Sequence, residues 1–195
     1  MSGGNLSSDK GKAAIAYLTM GFPVRSETAV VREIYALRGD FDVHVFSVRP
    51  LTFGEGIYEP KADLYQGQAL GFSPKLALRG LKATLKRGLK GDKALLSLLG
   101  ETLRGGGAQL PKALVVLCLS TAFAEEAQAK NIRYIHGNFA SFQAYGAYAI
   151  HRLTGIPFGF TMHAHDLFIH GFMMNEQVKE ADVVVSISEF NRQYI

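Results

Sequence analysis

Short apolar runs recur along this chain, each followed by a stretch with helical spacing, and that alternation constrains the fold more than any other feature. AAIAYLT at 13–19 is rich in strand formers, and Gly21-Phe22-Pro23 punctuates its end. A helical stretch opens at Ser26, which is placed to cap it, with Glu27 as a favourable negative charge in the first turn. Ala29, Val30, Ile34 and Leu37 keep the helical period up to Gly39. DVHVFSV at 42–48 then predicts a second strand. Strand, helix and strand in that order make a βαβ unit, which requires parallel pairing and a right-handed crossover.

The rhythm returns in the second half. IRYIH at 132–136, PFGFTMH at 157–163 and DVVVSIS at 182–188 are predicted strands. Helices are predicted over 139–153 and 175–181, and a further one opens after Ser188. About five parallel strands alternating with helices give an α/β class, a Rossmann-like open parallel sheet flanked by helices. The first turn is not G-x-G-x-x-G, so the dinucleotide fingerprint is absent.

The intervening stretch, 50–110, is less regular and is expected to be a helical insertion. Leu76, Leu78, Leu81, Leu85 and Leu89 are interleaved with Lys75, Arg79, Lys82, Lys86, Arg87 and Lys90. This pattern predicts basic amphipathic helices, broken by the glycines at 80, 88 and 91. Three glycines at 105–107 mark a loop, and Pro111 opens a helix running to Ala129.

A length of 195 residues suits one domain, with residues 1–12 as a flexible polar tail, and 48% apolar content supplies a core. The single cysteine, Cys118, excludes a disulfide framework and fits a reducing compartment, where it is expected as a small buried apolar group. No signal-peptide pattern opens the chain, and no uninterrupted apolar run approaches the roughly 18 residues of a membrane span. A cytoplasmic protein, or one peripheral to the inner face of a membrane, is expected. The net charge of +4 is concentrated in the basic helices, 75–104. These lack the aromatic interleaving of single-strand binders, so no nucleic acid is expected. Leucines flanked by Lys and Arg suit an anionic membrane surface, against the plainer reading of a solvated face.

Open parallel sheets bind ligands beyond the carboxyl ends of their strands. Those ends gather Gly21, Phe22 and Pro23; His136 and Asn138; His163, His165 and Asp166; and Ser188 and Glu189. Ser26 and Glu27 add the opening of the first helix, whose free N–H groups suit an anionic or hydroxyl-rich ligand. His163 and His165 share one face of a strand end, next to Asp166, which also raises a metal pair with a carboxylate. His44 and His151 are expected to be structural or surface residues.

Three segments resemble the N-terminal domain of family 4 glycosyltransferases of GT-B architecture, in particular the bacterial exopolysaccharide and colanic-acid type branch. They are GFPVRSETAVVREIYALRGDFDVHVFSV at 21–48, YIHGNFASFQAYGAYAIHRLTGIPFGFTMHAHDLF at 134–168 and KEADVVVSISEFNRQYI at 179–195. Asn138 departs from the pattern, standing where that branch often has a second histidine. The resemblance implies transfer of a sugar, with retained configuration, from a nucleotide-sugar donor to a saccharide or lipid-linked acceptor, and it implies no metal or other cofactor. It makes the chain the acceptor-side half, with the donor-binding domain lying C-terminal to it, and so implies negligible transfer by this chain alone. His163, in Thr161-Met162-His163, would hydrogen-bond the transferred sugar, and Gly21 to Pro23 would lie beside the donor phosphates and the acceptor.

Three alternatives remain. One is a metal-dependent hydrolase using His163, His165 and Asp166. Another is a non-catalytic module that binds a membrane or partner through 75–104. The last is a sugar-nucleotide epimerase of the same architecture.

Overall fold

The computed structural model describes residues 11–163 and 172–193. Six parallel strands form one sheet: β1 (Ala13–Thr19), β2 (Phe41–Ser47), β3 (Ala69–Gly71), β4 (Ile132–Asn138), β5 (Phe158–Met162) and β6 (Val183–Ser186). Their spatial order is β3-β2-β1-β4-β5-β6, so the direction of winding reverses between β1 and β4. This is the order of a Rossmann-like doubly wound sheet, and it holds six strands where the sequence rhythm counts about five. The extra one is β3. At three residues it is too short to show alternation, and it pairs only with β2, as an edge strand.

The helices are α1 (Thr28–Leu37), α2 (Pro74–Leu89), α3 (Lys93–Gly105), α4 (Leu110–Ala129), α5 (Phe142–Thr154), α6 (Met174–Glu180) and α7 (Glu189–Arg192). Period-two alternation along β1 sorts the core into two faces. Ile15 and Tyr17 pack with Val30, Val31 and Ile34 of α1. Ala16 and Leu18 pack under α4 and α5 on the other face, the larger half of the core.

Helix α4 and the 3-10 turn before it are long and apolar enough, by length and composition, to cross a bilayer. Half of that apolar window is buried, and the helix packs between α2 and α5 over the sheet. Burial on several sides accounts for its nearly uniform hydrophobicity. Cys118, on this helix, is only half-buried.

Cys118 thus departs from the buried position expected of it, and two further local expectations fail. Ser26 does not cap a helix: it lies exposed in a 3-10 turn, Arg25–Glu27, and α1 starts at Thr28 without a side-chain cap. The glycines at 80 and 88 do not break α2. A Cβ on Gly80 would lie 2.2 Å from the Cys118 carbonyl oxygen, so this glycine lets α2 close onto α4. Ser73 starts α2 by accepting a hydrogen bond from the Leu76 N–H, and the helix ends before Gly91, which has φ +69°.

Candidate functional site

Helix α1 leaves the end of β1 toward one face of the sheet, and α5 leaves the end of β4 toward the other. The divergence opens a crevice at the carboxyl edge, the usual ligand position in this topology. A cavity of about 590 Å³ occupies that place. Met20 contributes from the end of β1, Glu27 from the turn before α1 and Arg49 from the end of β2. Ala108, Gln109 and Lys112 come from the start of α4, and Phe139, Ser141, Phe142 and Gln143 from the start of α5.

The wall on the β1 side is held by backbone hydrogen bonds. Arg49 N–H donates to Met20 O at 2.9 Å and Thr52 N–H to Phe22 O at 3.0 Å, and the Thr52 hydroxyl donates to Pro23 O at 2.5 Å. Gly21, Phe22 and Pro23 are buried, the Phe22–Pro23 peptide is cis, and Phe22 packs against Phe53. This segment therefore supports the wall, while Arg49 reaches the cavity from the neighbouring loop.

On the β4 side, Gly137 has a steric role: a Cβ there would lie 2.7 Å from the Ala144 Cα, so the glycine lets α5 sit directly on the strand. Phe139 then turns the chain with φ +83°, and its N–H donates to Thr161 O. The Lys112 ammonium lies 4.3 Å from the Phe142 ring centre, a cation–π contact at the cavity wall. Gln143 is buried, and among the described residues its Oε1 has no hydrogen-bond partner; Asn138 Nδ2 is in the same condition.

Charge in the crevice is mixed. Burial pushes the Glu27 carboxyl up to about 7, with Arg49 pulling it back down. At a pH below that value the carboxyl is mostly neutral, so Arg49 and Lys112 dominate the local field and favour an anionic or hydroxyl-rich ligand.

The sequence-derived candidates divide into groups. Glu27 lines the cavity, and Ser26 is exposed beside it. His163 follows β5, and its ring sits 4.3 Å from that of Phe139, one of the cavity residues. His136 is a buried sheet residue. Its Nε2 is 2.9 Å from Thr161 Oγ1, it packs against Tyr17, and desolvation holds its pKa down. His44 is buried within β2 and pairs with Asp42. His165 and Asp166 lie outside the described residues. Ser188 and Glu189 line a separate cavity of about 540 Å³ beyond β6, where the Ser188 hydroxyl caps α7. Among the described residues, no group of three or more His, Cys, Asp or Glu is placed to hold a metal ion.

Sequence reasoning missed Arg49, Gln109, Lys112, Ser141, Phe142 and Gln143. Arg49 stands just past the end of β2 and was within reach of the strand-end rule. Lys112 was not, because its place depends on α4 starting at the carboxyl edge after the excursion through α2 and α3.

No family model matches the chain, and no curated protein sequence does. Among solved structures, it is similar to a sucrose-phosphate synthase from Thermosynechococcus elongatus. The match has 14% identity over 93% of this chain and 80% of that one, with a TM-score of 0.48. At that identity and score the likeness bears on neither activity nor ligand.

Proposed function

We propose that this chain is the acceptor-side half of a retaining glycosyltransferase, one that moves a sugar from a nucleotide-sugar donor to a cell-surface polysaccharide or lipid-linked acceptor. The observation that carries the reading is the 590 Å³ crevice at the reversal point of the sheet, with Arg49 and Lys112 on its walls. The three sequence segments that resemble the colanic-acid type branch of family 4 glycosyltransferases support it. The segments at 21–48 and 134–168 include Glu27, Ser141 and Gln143 of the cavity as well as His163.

In this reading His163 hydrogen-bonds the sugar as positive charge develops at its anomeric carbon. The crevice cations and the first N–H groups of α5 favour the negative charge of a diphosphate or of polarised hydroxyls. Ala108 and Lys112 at the crevice are exposed to solvent. Contacts that would order both substrates against each other need a second surface across the cleft, so this chain alone is expected to bind acceptor without transfer. The site is expected to work on the cytoplasmic side of a membrane.

The test is a titration of the chain, followed by amide NMR, with polyprenyl-diphosphate sugar analogues, free oligosaccharides, UDP-sugars and GDP-sugars. Shifts centred on Met20, Arg49, Phe139 and Gln143 with an acceptor analogue, weakened at least tenfold by Lys112→Ala, are expected. Stoichiometric bound metal, with hydrolytic activity lost in His163→Ala, would overturn the proposal in favour of a hydrolase.

A further inference from the structure

Helix α2 buries Leu76, Gly80 and Ala83 against its neighbours. At about 100° per residue, the diametrically opposite side is a ridge made of Leu78, Leu81, Leu85 and Leu89. These leucines are 53%, 46%, 57% and 91% exposed. Four leucines left in water along a single helix form a contiguous apolar strip, which marks an interaction surface.

The polar residues beside the ridge indicate what covers it. The 16 residues of α2 carry five Lys and Arg and no Asp or Glu. Arg79 pairs with Glu125 and Glu126, and Arg87 with Asp92. Lys75, Lys82 and Lys86 are exposed along one flank of the ridge, and Lys90 follows at its end. A second copy of this chain would bring one lysine row against another, at a repulsive cost. A surface that is apolar inside and anionic outside satisfies both features at once: the leucines enter the acyl boundary, and the lysines lie at the headgroups.

We infer that the outer face of α2 docks this protein on an anionic lipid bilayer through Leu78, Leu81, Leu85 and Leu89, with Lys75, Lys82 and Lys86 at headgroup level. This inference is independent of the crevice and stands whether or not the chain transfers a sugar. The ridge belongs to a helix packed on α4, on the sheet face opposite α1. Docking there leaves the α1 face clear of the bilayer.

The test uses the purified chain and vesicles of phosphatidylcholine, with or without phosphatidylglycerol. Wild type is expected to float with phosphatidylglycerol vesicles and to be released by salt. Lys82→Gln with Lys86→Gln should weaken binding roughly 25-fold, at about fivefold for each lysine. Arg32→Gln with Arg38→Gln removes the same charge from α1 and the residue that ends it, on the other face, and should cost less than twofold. Equal losses in the two pairs would reduce the effect to net charge and overturn the assignment.

The chain has no tryptophan. Leu85→Trp therefore supplies a single fluorophore, whose emission should shift to the blue on phosphatidylglycerol vesicles; an unshifted spectrum with bound protein would refute insertion. Leu81→Gln with Leu85→Gln, at exposed positions that leave the core intact, should weaken binding at least tenfold with an unchanged circular dichroism spectrum. If that pair instead dissolves a dimer and leaves vesicle binding intact, the ridge belongs to a second copy and the inference fails.

Discussion

Replacing Glu27 by Gln should change how stability depends on pH, with a sign fixed by the crevice. The carboxyl is half-buried, and desolvation raises its pKa from 4.5 to about 7. In the unfolded chain it ionises near the ordinary value of about 4.3. Between these values the folded state binds more protons than the unfolded one, so stability falls as pH rises. The contribution is fully present below about pH 4.3 and is lost as pH rises through about 7. At about 1.4 kcal/mol for each tenfold difference in proton affinity, the whole gap corresponds to ~4 kcal/mol. Partial contact with water screens the carboxylate, so about 1.5 kcal/mol is the expected yield.

Glutamine keeps the shape and cannot ionise. Urea unfolding of both proteins, followed by far-ultraviolet circular dichroism across the range from acid to mildly alkaline pH, gives the difference directly. The two should be nearly equal below the ordinary carboxylate range, and the variant should be more stable by about 1.5 kcal/mol above neutrality. His44 and His136 have pKa values lowered by burial, so their contributions run in the opposite sense. They are present in both proteins and cancel in the difference. A difference that does not change with pH would falsify the desolvated placement of Glu27 and, with it, the charge assigned to the crevice.

Two glycine predictions follow from close contacts. Gly80→Ala should destabilise the fold by about 2–3 kcal/mol, because the new Cβ meets the Cys118 carbonyl, while Gly88→Ala, with nothing within 4 Å, should stabilise it by about 0.5–1 kcal/mol; chemical denaturation of both variants checks the pair. Gly137→Ala should cost about 2 kcal/mol and displace the start of α5, so that acceptor analogues lose affinity even at temperatures where the variant is fully folded, as calorimetric titration can show.

Much of this fold is legible in the residues because its central strands are buried on both faces. β1, β2, β4 and β5 appear as apolar runs bounded by turn residues, and the structure places them within a few residues of expectation. Gly155, at φ +76°, ends α5 as a left-handed cap, the property for which glycine is selected there. The failures have separate causes. Gly80 carries a local preference for a break, which its close approach to Cys118, far along the chain, overrides; Ser26 carries a preference for a cap, but it falls inside the 3-10 turn Arg25–Glu27, two residues short of α1. β3 has no pattern long enough to detect and exists because β2 offers it an edge. The crevice is legible only in part: Glu27, read from the opening of the first helix, lines the cavity, and His163 follows β5 with its ring against Phe139, while Lys112 comes from a helix whose position is set by packing.

The strand order itself explains why the crevice holds a cation, Lys112, that no strand end supplies. Because β1 and β4 are adjacent, the chain leaving β3 must cross the sheet edge before it can enter β4. It crosses through α2, α3 and α4 on one face, and α4 must start at the carboxyl edge in order to deliver the chain to the opposite edge, where β4 begins. The first turn of α4 is thereby brought to the crevice mouth, with Gln109 and Lys112 on the wall facing Glu27 and Arg49. The same crossing makes α2 the partner of α4 away from the crevice, held close by Gly80, with its leucine ridge turned outward. The basic excursion between β3 and β4 thus does two separable things: its last helix completes the cavity, and its first presents a surface for something outside the chain. Substitutions on the outer face of α2 should therefore leave crevice binding unchanged, and substitutions at Lys112 should leave docking unchanged, which vesicle flotation and ligand titration of the same variants can establish together.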